Sequence, residues 1–321
     1  MAKKMVDPSK MLAFPTAEGF GKYTSGGRGG KVVKVTNLQD DSNGSIEGSL
    51  RWAFKQHSGE PITIVFTVSG EIKLVSDMRI KRSDWTLAGQ TAPGEGIQIT
   101  HNKMNFGGST NFIIRNIRFR IGQNDASGTL VAEGAIATEN CSNYIIDHCT
   151  VCWSVEENMN TQDSHFLTVQ YCLVHEGLYN AGHPKGARGY GSQWGGSPAT
   201  YHHNVLAHNN SRSPRINGAR GEAKVVFLAY VNNVNYNYAK EGGCYGGENT
   251  ADVTPKTDES GEIVNSRHEC NFMNNYYKGG PASSTSSVCF VNSSYARDGA
   301  TSHGPAKWFV DGNVPNVNAS A

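Results

Sequence analysis

The chain has 321 residues, 37% of them hydrophobic, with 37 glycines and charges that nearly cancel to a net +1. That length allows one large domain or two ordinary ones, and the charge balance excludes a global field that would gather nucleic acid or a membrane surface. No segment approaches the roughly 20 uninterrupted apolar residues that cross a bilayer, so no membrane span is expected.

At the start, Met1-Ala2-Lys3-Lys4-Met5 is positively charged but has no apolar run behind it, so it does not form an intact signal peptide. Ser49-Leu50-Arg51-Trp52-Ala53-Phe54-Lys55-Gln56-His57 reads as one short amphipathic helix with Ser49 as its N-cap. From there on, short apolar runs recur, each with a polar or amide residue near its middle. They are Asn111 to Phe119, Asn143 to Val151, Phe166 to Val174, Thr200 to Leu206, Val225 to Val234 and Phe272 to Tyr277.

Alternation with period 2 marks these runs as strands. Overlaying the second and third puts Cys172 in the place of Cys149, one short coil later, while other intervals are long and rich in Gly, Ser, Asn and Pro. A short constant coil with variable insertions is the pattern of a solenoid whose coils stack on one another. A β-sandwich also uses short alternating strands, but it does not explain self-similar strands separated by such unequal loops. Asn204, Asn233 and Asn275 recur at one coil position, where each side-chain amide would bond its counterparts above and below. The helix at 49–57 would cap the exposed N-terminal end of the stack.

The cysteines are Cys141, Cys149, Cys152, Cys172, Cys244, Cys270 and Cys289. An odd number without regular short spacing argues against a disulfide framework. Cys149-x-x-Cys152 lies in an apolar run without a second pair, which argues against zinc. The cysteines are expected to pack as small buried hydrophobes.

Several segments together carry a family resemblance. Phe14 to Gly21, Gly26-Gly27-Arg28-Gly29-Gly30 and Gly48-Ser49-Leu50-Arg51 resemble the N-terminal signature of bacterial pectate lyases of polysaccharide lyase family one. Ile145-Ile146-Asp147-His148 resembles its Asp-His strand. His183-Pro184-Lys185-Gly186, Gly189-Tyr190-Gly191, Trp194-Gly195-Gly196 and Tyr201-His202-His203-Asn204 resemble a block of its gut-bacterial members, and Arg212-Ser213-Pro214-Arg215 its Arg-x-Pro motif.

The resemblance implies an all-β fold: one right-handed parallel β-helix with a short capping helix, and long loops forming a substrate cleft. The lyase domain would run over 14–321, after an extension at 1–13. It also implies a secreted or periplasmic monomer that cleaves polygalacturonate by β-elimination. In that reaction a base takes the proton from C5 and the glycosidic oxygen leaves C4, which gives a 4,5-unsaturated end. A proton beside a carboxylate is weakly acidic, so the site must neutralise the carboxylate and the enolate-like transition state with preplaced positive charge.

By resemblance Arg212 is the base and Lys185 holds the uronate carboxylate. Guanidinium normally stays protonated, and only a crowd of cations or burial would lower its pKa. Arg215, His183, Arg188 and Arg220 are candidates for gripping the acidic polymer, since Arg can pair a carboxylate through two parallel bonds. Trp194 beside two glycines is either a sugar-stacking platform or a packed loop residue, and it joins the substrate-binding candidates. His202 and His203 alternate on a strand, so one is expected to point inward, and both are read as structural.

The chain departs from the family at its Ca²⁺ site. The usual Asp-x-Asp pair falls on Ala132 and Gly134, which carry no ligand atoms in their side chains. The next acidic block offers Glu156 and Glu157, with Asn160 replacing a second carboxylate, and these are the candidate Ca²⁺ ligands; otherwise the block is a solvated loop. Ca²⁺ takes about 6–8 oxygens, so such a set would hold it weakly unless the substrate completed it. The family's later Arg is Asn217 here, with Arg215 or Arg220 as candidates to compensate.

Two other functions fit a β-helix. A glycoside hydrolase needs paired carboxylates flanking the bond, and none accompanies the basic block. A non-catalytic module for binding acidic glycans, such as part of a phage tail, would keep the cations without the chemistry.

Overall fold

Each repeated run is two strands joined by a corner residue, where the sequence pattern suggested one strand. The first divides into Thr110–Arg115 and Ile117–Arg120 around Asn116, which has φ 55°. His148, Tyr171 and His203, at φ 53°, 51° and 54°, divide the next three. A single left-handed residue turns the chain sharply, and Asn and His enter that region more readily than most side chains. The corner is hidden in the sequence because apolar alternation resumes on its far side.

The computed structural model describes residues 11–216, 226–239, 243–247, 256–257, 263–264, 268–284, 290–292 and 306–316. Ser142–Asp147, Thr150–Cys152 and Glu157–Asn160 make one turn of a right-handed parallel β-helix. His165–Gln170, Leu173–His175 and Tyr190–Trp194 make the next, followed by Ala199–His202, Val205–Ala207 and Arg215–Ile216. Successive turns pair in parallel, for example Tyr144 with Leu167 and Leu167 with Ala199. Among the described residues the result is three parallel sheets of ten, nine and eight strands, plus one antiparallel pair, Lys256–Thr257 with Ile263–Val264. Right-handed coiling follows from strand twist, as in other parallel crossovers. Among the described residues, no helix is long and apolar enough to cross a membrane.

Inside the coil, like stacks on like. The rings of Trp85, Phe112 and Tyr144 lie nearly parallel, with centroids 4.7 and 4.6 Å apart. The amide ladder forms as the sequence suggested and gains a rung: Asn204 Nδ2 donates to Asn233 Oδ1 at 3.0 Å, Asn233 to Asn275 at 3.1 Å, and Asn275 to Asn313 at 2.9 Å. Cys172 and Cys149 continue the same position, the Cys149 N–H pointing at Cys172 Sγ. The six cysteines among the described residues are buried; Cys289 lies outside them. Asn233→Ala strands the Asn204 N–H and amide and the Tyr201 carbonyl, which all bond Asn233. It is expected to cost about 2–3 kcal/mol in denaturant unfolding, and a cost below about 0.5 kcal/mol would contradict the ladder's role.

The capping helix is shorter than its pattern: Leu50–Ala53, with Ser49 Oγ accepting the Trp52 N–H at 3.2 Å. Its Arg51 is buried rather than solvated. The guanidinium meets both Asp40 oxygens at 2.8 Å and the carbonyls of Ser76 and Asp77, which ties the cap to the first coils. Residues 13–30 run across the outer face of the ten-stranded sheet. The Gly21 N–H donates to Thr168 Oγ1 at 2.9 Å, and a side chain there would meet the Tyr144 carbonyl at 2.3 Å, so only glycine fits.

Candidate active site

The loops that enter the eight-stranded sheet bring the candidates together. Glu157–Asn160 pairs with Tyr190–Trp194, setting Glu157 beside Tyr190 and Asn160 beside Gln193. Arg215 follows beside Gln193, and Tyr245 beside Arg215. Because the sheet is parallel and in register, side chains far apart in sequence form rows about one strand spacing apart. The loop from Glu176 to Gly189 carries His183, Lys185 and Arg188 to the edge of these rows, and the corner before Arg215–Ile216 carries Arg212.

Arg212 is the centre of the cluster. Its backbone is left-handed, at φ 57°. Its guanidinium lies 4.1 Å from the Tyr190 ring centroid, donates to Gln193 Oε1 at 3.0 Å and pairs with Glu157. Burial pushes Arg212 below the usual guanidinium value; Tyr245 opposes this, Arg215 adds to it, and Glu156 opposes it. Contact with the Glu157 carboxylate also favours the charged form. Gln193 in turn donates to Gln162 Oε1 at 2.7 Å, so a polar chain runs along the sheet under the guanidinium.

Arg188 and His183 converge on Glu156. Arg188 Nε and His183 Nε2 each lie 3.0 Å from Glu156 Oε2. Arg188 Nη1 also donates to the Tyr190 hydroxyl at 3.0 Å, so Tyr190 lies between two guanidiniums. The Lys185 ammonium is on the exposed rim of the same loop, and its backbone N–H donates to His183 Nδ1 at 3.0 Å. Arg215 is half-buried, its guanidinium 6.0 Å from the Tyr245 ring centroid. Arg220 and Asn217 lie outside the described residues.

Two expectations are corrected. Trp194 is no sugar platform: it is fully buried and stacks on Tyr201 with centroids 4.5 Å apart. The flanking glycines suggested a loop, but Trp194 ends a strand and faces the core. Glu156, Glu157 and Asn160 do not form a Ca²⁺ set. Glu156 faces Arg188 and His183, and Glu157 faces Arg212. Asn160 Oδ1 accepts the Gln162 N–H at 3.0 Å, and its Nδ2 donates to Glu139 at 2.6 Å. Among the described residues, no group of three His, Cys, Asp or Glu side chains is placed to hold a metal. These donors are turned to cations and N–H groups, so the residues present do not fit Ca²⁺.

Tyr190, Gln193 and Tyr245 are the site residues that the sequence did not single out. Tyr190 stood in the Gly189-Tyr190-Gly191 block, but nothing in that block said which cations would flank it.

His202 takes the structural role expected of it. It is 4% exposed, and its Nδ1 lies 2.8 Å from His203 Nδ1. Burial pushes it down from 6.5 to about 4, His203 adding and Asp147 opposing. Between those values the unfolded chain holds more protons than the native one. The stability contributed by neutral His202 is therefore full above about pH 6.5 and lost as pH falls through about 4, by up to about 3 kcal/mol. Replacing it by Gln is expected to flatten the dependence of the urea midpoint on pH across that window; an unchanged slope would assign the effect elsewhere.

Comparison with known proteins agrees with this architecture. No family model matches the chain. It is 31% identical over 286 residues to the probable pectate lyase C of Aspergillus fumigatus, an alignment spanning 89% of this chain and 58% of that protein. It is 35% identical over 244 residues to the one from Emericella nidulans, 75% of this chain and 51% of that protein. The chain thus spans somewhat over half the length of the curated relatives it matches. Among solved structures, the major allergen from cedar pollen superposes with a TM-score of 0.60 at 15% identity, over 94% of this chain and 82% of that one. A Bacillus pectate lyase in complex with trigalacturonate superposes with a TM-score of 0.53 at 17% identity, over 95% and 90%. The chain is thus a homologue, at about 31% identity, of curated proteins named pectate lyase C, built on a right-handed parallel β-helix.

Proposed function

We propose that the chain is a polysaccharide lyase that cleaves polygalacturonate or a related uronate polymer by β-elimination, outside the cytoplasm. The observation that carries this reading is the half-buried Arg212 among Arg188, Arg215 and His183, with Lys185 on the exposed rim beside them. The names of the relatives support it, as does the trigalacturonate bound by one structural neighbour.

In this reading Lys185, Arg188 and Arg215 grip the substrate carboxylate and stabilise the charge that grows on it as C5 is deprotonated. Arg212 is the base in this reading: burial lowers its pKa, and taking the C5 proton requires its neutral form. The C–H electron pair becomes the C4–C5 double bond, the C4–O bond breaks, and the departing oxygen takes a proton from water or from the guanidinium formed on Arg212, which returns the base to its starting form. No water is consumed, and no step passes through a metal. A hydrolase would need a free acid and a free base, whereas Glu156 and Glu157 are both held by cations.

A second reading, binding without cleavage, is favoured by one observation: Arg212 is already engaged by Glu157, Gln193 and Tyr190. Ultraviolet absorbance on mixing with polygalacturonate separates the two. A rise that is lost in Arg212→Ala supports elimination; binding without any rise leaves only the glycan-binding module.

A further inference from the structure

We propose that the cluster on Glu156 is a built-in cation centre, in which Arg188 and His183 bind the uronate carboxylate directly and no divalent metal takes part. This rests on the reading of the site as a uronate site and specifies how it recognises its substrate.

Ca²⁺ holds to a site through oxygens that are free to turn toward it, and its affinity follows the negative charge they bring. Here Glu156 Oε2 lies 3.0 Å from both Arg188 Nε and His183 Nε2. Glu157, 7% exposed, is paired with Arg212. A dication added between these groups would sit against two guanidiniums and would have to displace them from their carboxylates. The repulsion is strongest where water is excluded.

At one of the two positions where the resemblance places a carboxylate, none can be restored. At Gly134 a Cβ would lie 2.4 Å from the Glu157 carbonyl oxygen, so this backbone approach admits only glycine. Glu133, the next acidic side chain, is turned away to Lys103, at 3.0 Å.

The centre is incompletely satisfied: Arg188 Nε, Arg212 Nε and Glu156 Oε2 are all buried without a hydrogen-bond partner, although Arg188 Nε and Glu156 Oε2 lie 3.0 Å apart. A buried guanidinium N–H without an acceptor is costly, and an incoming carboxylate oxygen supplies one. Arg188 is fixed for this by its bond to the Tyr190 hydroxyl. Tyr190 thus acts as a positioning residue: its ring also stacks on Arg212, so one side chain orients both cations.

The test uses the full chain with two probes, calcium chloride alone and trigalacturonate. The proposal predicts the same melting temperature in chelator and in millimolar calcium, and no heat of calcium binding by titration calorimetry. It predicts equal trigalacturonate affinity in both buffers, lowered at least tenfold in each by Arg188→Gln. Gln removes the charge at 188 but leaves a hydrogen-bond donor for Glu156, and His183→Gln is a second variant expected to weaken affinity in the same direction.

Calcium-dependent stabilisation of the wild type, or trigalacturonate binding abolished by chelator, would overturn the proposal while leaving the lyase reading intact. Failure to bind trigalacturonate in either buffer would overturn both. Unchanged affinity in Arg188→Gln and His183→Gln would remove the centre from substrate recognition even if calcium proved irrelevant.

Discussion

Arg212→Lys is expected to lower turnover on polygalacturonate by about 10³-fold while the melting temperature stays near that of the wild type. Lysine keeps a positive charge for the buried Glu157, so the fold is spared the unpaired carboxylate that Arg212→Ala would leave. It cannot reproduce the planar group that stacks on Tyr190 and bonds Gln193. Steady-state kinetics should show the loss in kcat far more than in KM, because the transition state rather than the ground state loses its proton acceptor. A fall of less than tenfold would remove Arg212 from the chemistry and leave it as a structural cation.

Trp194→Ala is expected to destabilise the protein by about 3–5 kcal/mol. The side chain is fully buried, stacked on Tyr201 at 4.5 Å and tilted against Tyr230 at 6.0 Å, at the level of the β-helix that carries the cation cluster. The loss should appear as a lower midpoint in denaturant unfolding. A sugar-stacking platform would behave the opposite way, with KM raised and stability unchanged, and that outcome would place the ring outside the core.

The coil is readable from the sequence because a β-helix repeats its interior. Cys149 over Cys172, and Asn204, Asn233 and Asn275 in one column, give the stacking register directly. The corners are not readable. His148 and Tyr171 look like ordinary strand residues, and only the three-sheet geometry requires φ near 50° at each. Trp194 misleads for a related reason: glycines beside it signal a loop locally, while the pairing of Gln193 with Arg215 makes it the last inward residue of a strand.

The site is legible in its residue types and less so in its partners. Arg212, Arg188, His183 and the two glutamates do come together. Which carboxylate answers which cation depends on strand register, which a linear motif does not carry. Two neighbouring acidic residues therefore read as metal ligands although each is the counter-ion of a guanidinium. Tyr190 does not stand out in the sequence because its role lies wholly in what stands on either side of it.

The most direct test of elimination at this site is digestion of polygalacturonate in ¹⁸O-labelled water, followed by mass spectrometry of the oligomers. Elimination predicts a new non-reducing end one water lighter than a hydrolytic end, with no solvent oxygen fixed at the cleaved bond. Fragments of full hydrated mass, carrying one solvent oxygen per cut, would show hydrolysis and contradict the roles of Arg212 as base and of its neighbours as carboxylate-binding cations.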